Sequence, residues 1–144
     1  MIQIRSMSDS DIQALPRLLR ELQLEFSDIK KPGNEFYVVE EQKNLCGLCA
    51  FEILGDQKAK IDFIFIREQD RGFKLGDGLL RAVLNHLDHQ GVKKVLIESN
   101  LATNGFYVSE GLEIIYTAPD NSDLLTFVVE LPQFFLTPCK GSRV

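Results

Sequence analysis

A loop that holds two basic residues and two glycines carries the clearest chemical signal of the sequence. The segment Arg71–Gly76 reads Arg-Gly-Phe-Lys-Leu-Gly and lies between a strand-like run and a helical pattern. Successive backbone N–H groups and the positive end of the following helix can bind a phosphate there, and Arg71 and Lys74 add positive charge. No Gly-Lys-Ser/Thr opens the helix, so the loop differs from a Walker loop. It is interpreted either as a phosphate site or as a ligand-free glycine turn.

The apolar pattern of the chain predicts the elements that must hold this loop. The predicted order is β-α-β-β-β-α-β-α-β-β, without an internal repeat. Strands are expected at about 3–5, 36–40, 45–53, 59–66, 95–98, 112–116 and 124–131. Helices are expected at about 10–24, from the loop to about 91, and at about 102–110, and residues 26–34 are expected to form a loop. The basic loop thus joins a strand to an amphipathic helix.

Length and charge limit the classes of protein to which this chain can belong. A chain of 144 residues fits one domain, predicted over 1–131, followed by a tail over 132–144. The tail carries Phe134, Phe135 and Leu136, which are expected to pack on the body or on a second subunit, so a homodimer is one assembly that we consider. Lys and Arg number 16 against 21 Asp and Glu, and no basic run exceeds two residues. This balance disfavours nucleic-acid binding and weakly favours a cationic substrate.

Membrane-spanning and disulfide-rich classes are disfavoured as well. The longest apolar runs, such as Leu124–Val129, are far shorter than the roughly 20 residues that span a bilayer. Polar residues interrupt Met1–Asp9 where a signal peptide would have an apolar region, so a cytoplasmic protein is expected. Cys46, Cys49 and Cys139 are odd in number and lack a second pair with zinc-site spacing. They are predicted to be structural thiols.

Two sequence motifs, one in the basic loop and one at the third predicted helix, resemble those of the GNAT N-acetyltransferases. The family's first motif is Arg/Gln-x-x-Gly-x-Gly/Ala before a Leu-rich helix, and here Arg71, Gly76 and the pair Leu79-Leu80 match it in register. Lys74 stands where the family usually has its first glycine.

The second motif of the family is Asn-x-x-Ala-x-x-aromatic/Leu-Tyr, followed by Gly-Phe. The segment Asn100–Tyr107 and the pair Gly111-Leu112 match it, with Thr103 in place of Ala and Leu112 in place of Phe. The resemblance covers about residues 2–131. It implies an α/β (α+β) fold with a mixed, mostly antiparallel sheet of about seven strands, splayed in the middle and flanked by helices.

The resemblance implies acetyl-CoA as co-substrate, held in the splay between the strands at about 59–66 and 94–98, and no metal. The loop amides would hold the pyrophosphate, and Lys74 leaves this loop workable only if its φ is negative. The backbone N–H of Ile66 would face the thioester carbonyl. The implied cofactor-binding residues are Ile66, Arg71, Gly72, Phe73, Lys74, Leu75, Gly76, Asn100 and Phe106.

The implied reaction is direct attack by a primary amine on the thioester, without an acyl-enzyme. Tyr107 matches the family's tyrosine that protonates the departing thiolate, with simple packing against the cofactor as the alternative. Asp62 and Glu98, and more remotely Glu52, are candidates for the base that takes the proton from the amine. By period-2 alternation Asp62 is predicted to share a strand face with Ile64 and Ile66, opposite Ile61, Phe63 and Phe65.

The acceptor, a small-molecule or peptide amine, is not identified by these residues. The segments at about 26–35 and 117–123 are those that select acceptors in the family. A GNAT-like module that binds CoA or acyl-CoA without turnover is the alternative function. His86 and His89 are interpreted as a solvated helix surface, and Asp9 and Asp11 as capping residues of the first helix.

Overall fold

The computed structural model describes residues 1–29, 32–72, 74–99, 101–119, 124–131 and 133–136. Its strands are β1 (Ile2–Ser6), β2 (Glu35–Glu41), β3 (Asn44–Gly55), β4 (Lys58–Ile66), β5 (Lys94–Ser99), β6 (Glu113–Thr117) and β7 (Leu125–Glu130). Its helices are α1 (Asp11–Glu21), α2 (Phe26–Ile29), α3 (Leu75–His89), α4 (Leu101–Ser109) and α5 (Gln133–Leu136). The predicted order of the strands and of the three longer helices is confirmed, and α5 and a 3-10 turn at Glu68–Asp70 are additions to it. The loop predicted over residues 26–34 is wrong in its first part, where α2 forms.

The seven strands form one sheet in the order β1-β2-β3-β4-β5-β7-β6. All neighbours pair antiparallel except β4 and β5, which run parallel and are joined through α3. Their pairing begins at Lys58 opposite Lys94 and ends at Ile61 opposite Ile97. Because β4 continues to Ile66 without a partner from β5, a gap opens between the two strands. The predicted mixed sheet, splayed in its middle, is confirmed.

A β-bulge in β4 sits where this gap begins. Phe51 of β3 pairs with Ile61 and Ala50 pairs with Phe63, so Asp62 is an extra residue on β4. The bulge shifts the alternation of side chains by one residue. As a result Ile61 lies in the same core cluster as Ile64 and Ile66, and the predicted strict alternation is wrong.

Helices cover the two faces of the sheet unequally. On one face α3 packs against β1–β4, and a large core cluster joins its buried leucines to β3, β4, β5 and β7. On the other face α1 packs against β3, and a smaller cluster forms there around Leu15, Leu18 and Leu48. No helix within the described ranges is long and apolar enough to cross a membrane.

The start of the tail packs on the body. Phe134 contacts the large core cluster, and the guanidinium carbon of Arg81 lies 4.9 Å from the centre of its ring. Residues 137–144, including Cys139, lie outside the described residues.

Two of the three cysteines are free and fully buried in β3, as predicted. Burial raises the pKa of Cys46 to about 11 and raises the pKa of Cys49 further. Both thiols therefore stay protonated at neutral pH.

The histidines of α3 differ in their surroundings, and His86 is half-buried, so the solvated surface predicted for both holds only in part for His86. The imidazole centre of His86 lies 5.5 Å from the ring centre of Tyr37 and 5.7 Å from that of Phe51. His89 is exposed, as predicted. The described residues contain no group of three His, Cys, Asp or Glu side chains that could hold a metal ion.

An ion-pair network ties α1 to the sheet. The Arg5 guanidinium of β1 donates to both oxygens of Asp11, at 2.7 and 2.9 Å, and also pairs with Glu40 of β2. The Ser8 amide donates to Asp11 at 2.7 Å. Arg5 first, and then Ser8, hold the pKa of Asp11 at about 2, below its ordinary 3.8. Asp11 thus has a structural role as the ion-pair partner of Arg5, within the first turn of α1. The N-cap is Ser10 and α1 has no side-chain capping hydrogen bond, so the predicted capping by Asp9 and Asp11 is wrong.

Asp11→Asn is expected to lower the free energy of unfolding at pH 7 by about 2 kcal/mol, because it removes the charge that Arg5 binds. The folded-state pKa is depressed, so this contribution is present above 3.8 and is lost as the pH falls through about 2. Urea unfolding of both proteins across this range measures the difference. Asp9→Asn, at an exposed position in the preceding turn, is the control. A difference that stays constant down to pH 2 would contradict the prediction.

Candidate active site

A cleft of about 550 Å³ lies beside the gap in the sheet, between the end of β4, the basic loop and α4. The cleft brings together most of the residues that the sequence predicts for a cofactor site. Those that line it are Ile66, Arg71, Gly72, Lys74, Leu75, Gly76, Phe106 and Tyr107. Phe73 and Asn100 of the predicted set lie outside the described residues.

The loop reaches α3 through two left-handed backbone positions. Gly72 has φ +90°, and Lys74, the residue before α3, has φ 60° and ψ 23°. The condition of a negative φ at Lys74 is therefore not met, and that condition was too strict. The left-handed region is open to single non-glycine residues at a cost of about 1 kcal/mol, so a lysine can take this conformation. The side chain of Lys74 makes no capping bond to α3.

We expect Lys74→Gly to be about 1 kcal/mol more stable than Lys74→Ala, because glycine takes the left-handed conformation without strain. Both variants lack the charge, so a comparison of the two isolates the strain. Thermal unfolding of the pair measures it. Equal stability of the two variants would show that the loop relaxes to a negative φ.

The end of β4 directs a backbone N–H into the gap. The Arg67 amide donates to the Cys46 carbonyl of β3 at 2.9 Å. Since successive residues of a strand turn their N–H groups to opposite sides, the N–H of Ile66 points away from β3 and toward the gap. The Ile66 carbonyl accepts a hydrogen bond from Arg71 Nε at 3.0 Å, which ties the basic loop to the strand end.

A glycine of β3 leaves room for this arrangement. A Cβ at Gly47 would lie 2.6 Å from Cδ1 of Ile66 and 3.2 Å from the Phe65 carbonyl oxygen. Any larger residue at this position would therefore displace the end of β4.

Tyr107 lies on α4 at the wall of the cleft and is 2% exposed. Its ring centre lies 5.2 Å from that of Phe106 and 5.4 Å from that of Phe127, which fixes its position. Burial raises the pKa of Tyr107 well above 10. The phenol is therefore protonated at neutral pH and can donate a hydrogen bond or a proton.

Asp62 and Glu98 lie together in a second groove, of about 380 Å³, which does not include Tyr107. The neighbours of Glu98 on β5, such as Ile97, belong to the core on the α3 side, so this groove lies on the opposite face of the sheet. Asp62 Oδ1 lies 3.6 Å from Lys60 Nζ. Asp62 Oδ2 is buried and has no hydrogen-bond partner among the described residues. Glu52 also approaches Lys60, at 3.6 Å.

The sequence matches the model of the Acetyltransferase (GNAT) family over residues 3–111. The chain belongs to this family. No curated protein matches the sequence.

Solved structures share the GNAT fold with this chain at low sequence identity. The PaiA N-acetyltransferase of Thermoplasma acidophilum, in complex with coenzyme A, is 15% identical with a TM-score of 0.73, over 90% of this chain and 99% of that chain. The N-acetylglutamate synthase of Neisseria gonorrhoeae, complexed with coenzyme A and N-acetyl-glutamate, is 17% identical with a TM-score of 0.74. The match covers 91% of this chain and 35% of that chain. The ribosomal-protein-S18-alanine N-acetyltransferase of Escherichia coli is 14% identical with a TM-score of 0.66. The match covers 89% of this chain and 91% of that chain.

The cleft of this GNAT domain also contains acidic residues that the sequence motifs did not single out. Asp77, in the first turn of α3, and Glu110, after α4, both line it. Arg81 Nε donates to Asp77 Oδ1 at 3.1 Å. Glu110 Oε1 is buried and has no hydrogen-bond partner within the described ranges. Burial, followed by a hydrogen bond with Asp77, raises the pKa of Glu110 to about 7. In the sequence, only the position of Glu110 directly before Gly111 of the second motif could have indicated that this residue lies at the site.

Glu110→Gln is expected to raise the free energy of unfolding at pH 8 by about 1 kcal/mol, because it removes a partly buried charge beside Asp77. The folded-state pKa lies above the ordinary 4.5, so the contribution of Glu110 is fully present below pH 4.5 and is lost as the pH rises through about 7. Thermal unfolding at pH 5 and pH 8 measures the effect, with Glu113→Gln, at an exposed position of β6, as the control. A gain of equal size at both pH values would contradict the assignment.

Proposed function

We propose that the protein is an acetyl-CoA-dependent N-acetyltransferase that acts on a primary amine. The observation that carries the proposal is the single cleft that combines the end of β4, the basic loop and Tyr107 at the gap in the sheet. Bound there, acetyl-CoA supplies the acetyl group as a thioester. The family membership supports this cofactor, and so do the related structures that hold coenzyme A.

The loop fits the phosphates of such a cofactor. Lys74 makes no side-chain cap to α3, so the first amides of the helix are available to an anion. Gly76 lets the ligand approach the backbone, and Arg71 and Lys74 supply charge. Phe73 and Asn100 remain in the proposed cofactor-binding set.

The chain's own groups can account for each proton and charge in the reaction. The Ile66 N–H is placed to donate to the thioester carbonyl oxygen and to stabilise negative charge that develops on it. Tyr107 is placed to give its proton to the departing thiolate sulfur. The amine nitrogen forms the new bond to the acetyl carbon as the carbon–sulfur bond breaks.

The acceptor amine must lose a proton before or during attack. For an amine of pKa about 10.4, the neutral form costs about 4.6 kcal/mol at pH 7, so a base is needed. Asp62 is the better candidate of the two predicted carboxylates, because its Oδ2 is buried without a partner in the described chain. Glu98 is exposed. The amine would reach the gap from the second groove, on the face opposite the cofactor cleft.

A second candidate function is a module that binds coenzyme A or an acyl-CoA without turnover. Lys74 favours it, because a lysine holds a left-handed position that the family usually gives to glycine. The nearby Asp77 and Glu110 carboxylates also oppose a polyanionic ligand.

Calorimetric titration with acetyl-CoA and with coenzyme A, followed by an assay of thiol release with a panel of amines, tests the proposal. Binding together with amine-dependent thiol release is the expected result. Binding without release for any amine would favour the module, and no binding would reject both functions. We place the protein in the cytoplasm, as the sequence suggests.

A further inference from the structure

The second groove has a charge pattern that bears on the acceptor. It is formed by β4, β5 and the end of β3, and its apolar wall consists of Leu54, Phe63 and Leu96. Two carboxylates, Asp62 and Glu98, line the same groove. A volume of about 380 Å³ suits a small ligand, and the mixture of apolar wall and few polar groups is typical of small-molecule sites.

The one cation that lines this groove, among the described residues, is already engaged. Lys60 Nζ lies 3.6 Å from Asp62 Oδ1 and 3.6 Å from Glu52 Oε1. Its charge is therefore shared between two carboxylates, while Glu98 forms no ion pair with any of the described residues. The groove offers no free positive charge to a carboxylate on the acceptor.

The neighbouring positions on this face add no positive charge. Glu98 pairs with Thr126 of β7, which pairs in turn with Tyr116 of β6. Neither β6 nor β7 contains a lysine or arginine. Lys58 and Lys94 are paired with each other at the start of β4 and β5, at the end of the strands away from the gap and outside the groove lining.

We propose that the acceptor is a small aliphatic diamine, whose second ammonium group binds Glu98 while the reacting amine enters the gap. This inference rests on the proposed function. Asp62 is the first residue of β4 beyond its pairing with β5, and Glu98 directly follows Ile97, the last paired residue of β5, so the two carboxylates flank the start of the gap. Neighbouring strands lie about 5 Å apart, a separation that a chain of four or five carbons spans. Glu98 thus determines specificity, and Asp62 keeps the role of base.

Three acceptors of one length test the charge requirement: 1,4-diaminobutane, 4-aminobutanoate and n-butylamine. We expect kcat/KM for the diamine to exceed that for butylamine about 10-fold and that for aminobutanoate about 100-fold. The dissociation constants of the three ligands for the protein saturated with coenzyme A should follow the same order.

Glu98→Gln should reduce the preference for diamine over butylamine to about 1, because it lowers kcat/KM for the diamine about 10-fold more than kcat/KM for butylamine. Glu98→Lys should reverse the preference between diamine and aminobutanoate. Glu113→Gln is the matched control, since Glu113 lies on the same face but outside the groove.

The outcomes separate this inference from the proposed function. Equal kcat/KM for all three acceptors, or a Glu98→Gln variant that loses activity equally toward all of them, would overturn the diamine assignment and leave the N-acetyltransferase intact. No thiol release with any acceptor would overturn the enzymatic function. The dissociation constants would then decide the diamine site alone: equal values for diamine and aminobutanoate would reject it, and tighter binding of the diamine that Glu98→Gln abolishes would support it.

Discussion

A Gly76→Val variant is expected to bind acetyl-CoA about 100-fold more weakly than the natural sequence. A Cβ at Gly76 would lie 3.0 Å from a ring carbon of Phe106, so a larger side chain must project into the cleft or move that ring. Either change separates the phosphates from the first amides of α3. Loss of about two charge-assisted hydrogen bonds accounts for a change of this size. Calorimetric titration with acetyl-CoA measures it.

Gly78→Val provides a matched control for this variant. A Cβ at Gly78 would also meet a side-chain carbon at 3.0 Å, but this atom is Cδ1 of Ile4, and Gly78 does not line the cleft. Both variants add the same side chain to the first turn of the same helix. If Gly78→Val weakened acetyl-CoA binding as much as Gly76→Val, the loss would reflect a distorted helix, and the cleft would not be the binding site.

The second large effect is expected at Tyr107. Tyr107→Phe should lower kcat for acetyl transfer about 100-fold, because it removes the proton donor for the departing thiolate. The ring remains and still packs between Phe106 and Phe127, so the affinity for acetyl-CoA should change less than 2-fold. Steady-state kinetics, combined with titration of acetyl-CoA, separate the two quantities.

Tyr37→Phe is the control for this substitution. Tyr37 also packs on the α3 side of the sheet, where its ring centre lies 5.9 Å from that of Phe51, but it does not line the cleft. The Tyr37→Phe substitution should leave kcat for acetyl transfer unchanged. A Tyr107→Phe variant with the kcat of the natural protein would show that Tyr107 only packs at the wall.

Much of this architecture could be predicted because it depends on local patterns. The alternating and helical spacing of apolar residues defined the order of the elements, and the glycines and the Leu79-Leu80 pair placed the basic loop before α3. The loop residues and Tyr107 then met in one cleft, as the family resemblance implied. Long, strongly periodic segments such as α3 are the easiest to predict.

The parts that were wrong depend on contacts between distant segments. A bulge is a property of a strand pair, so the sequence of β4 alone could not show that Asp62 is an extra residue opposite β3. The partial burial of His86 depends on Tyr37 and Phe51, which other strands bring to α3. The left-handed φ of Lys74 is imposed by the join between loop and helix, which overrides the preference of lysine.

The short pairing between β4 and β5 has a consequence for cooperativity. In the described chain, four residue pairs between these strands form the backbone connection between two halves of the sheet, β1–β4 and β5–β7. The halves can therefore differ in their rates of amide hydrogen exchange, since local opening of a short junction costs less than global unfolding. A ligand that occupies the gap and bonds to both strands would lengthen this junction. Its binding should then slow exchange in β6 and β7, which it does not touch.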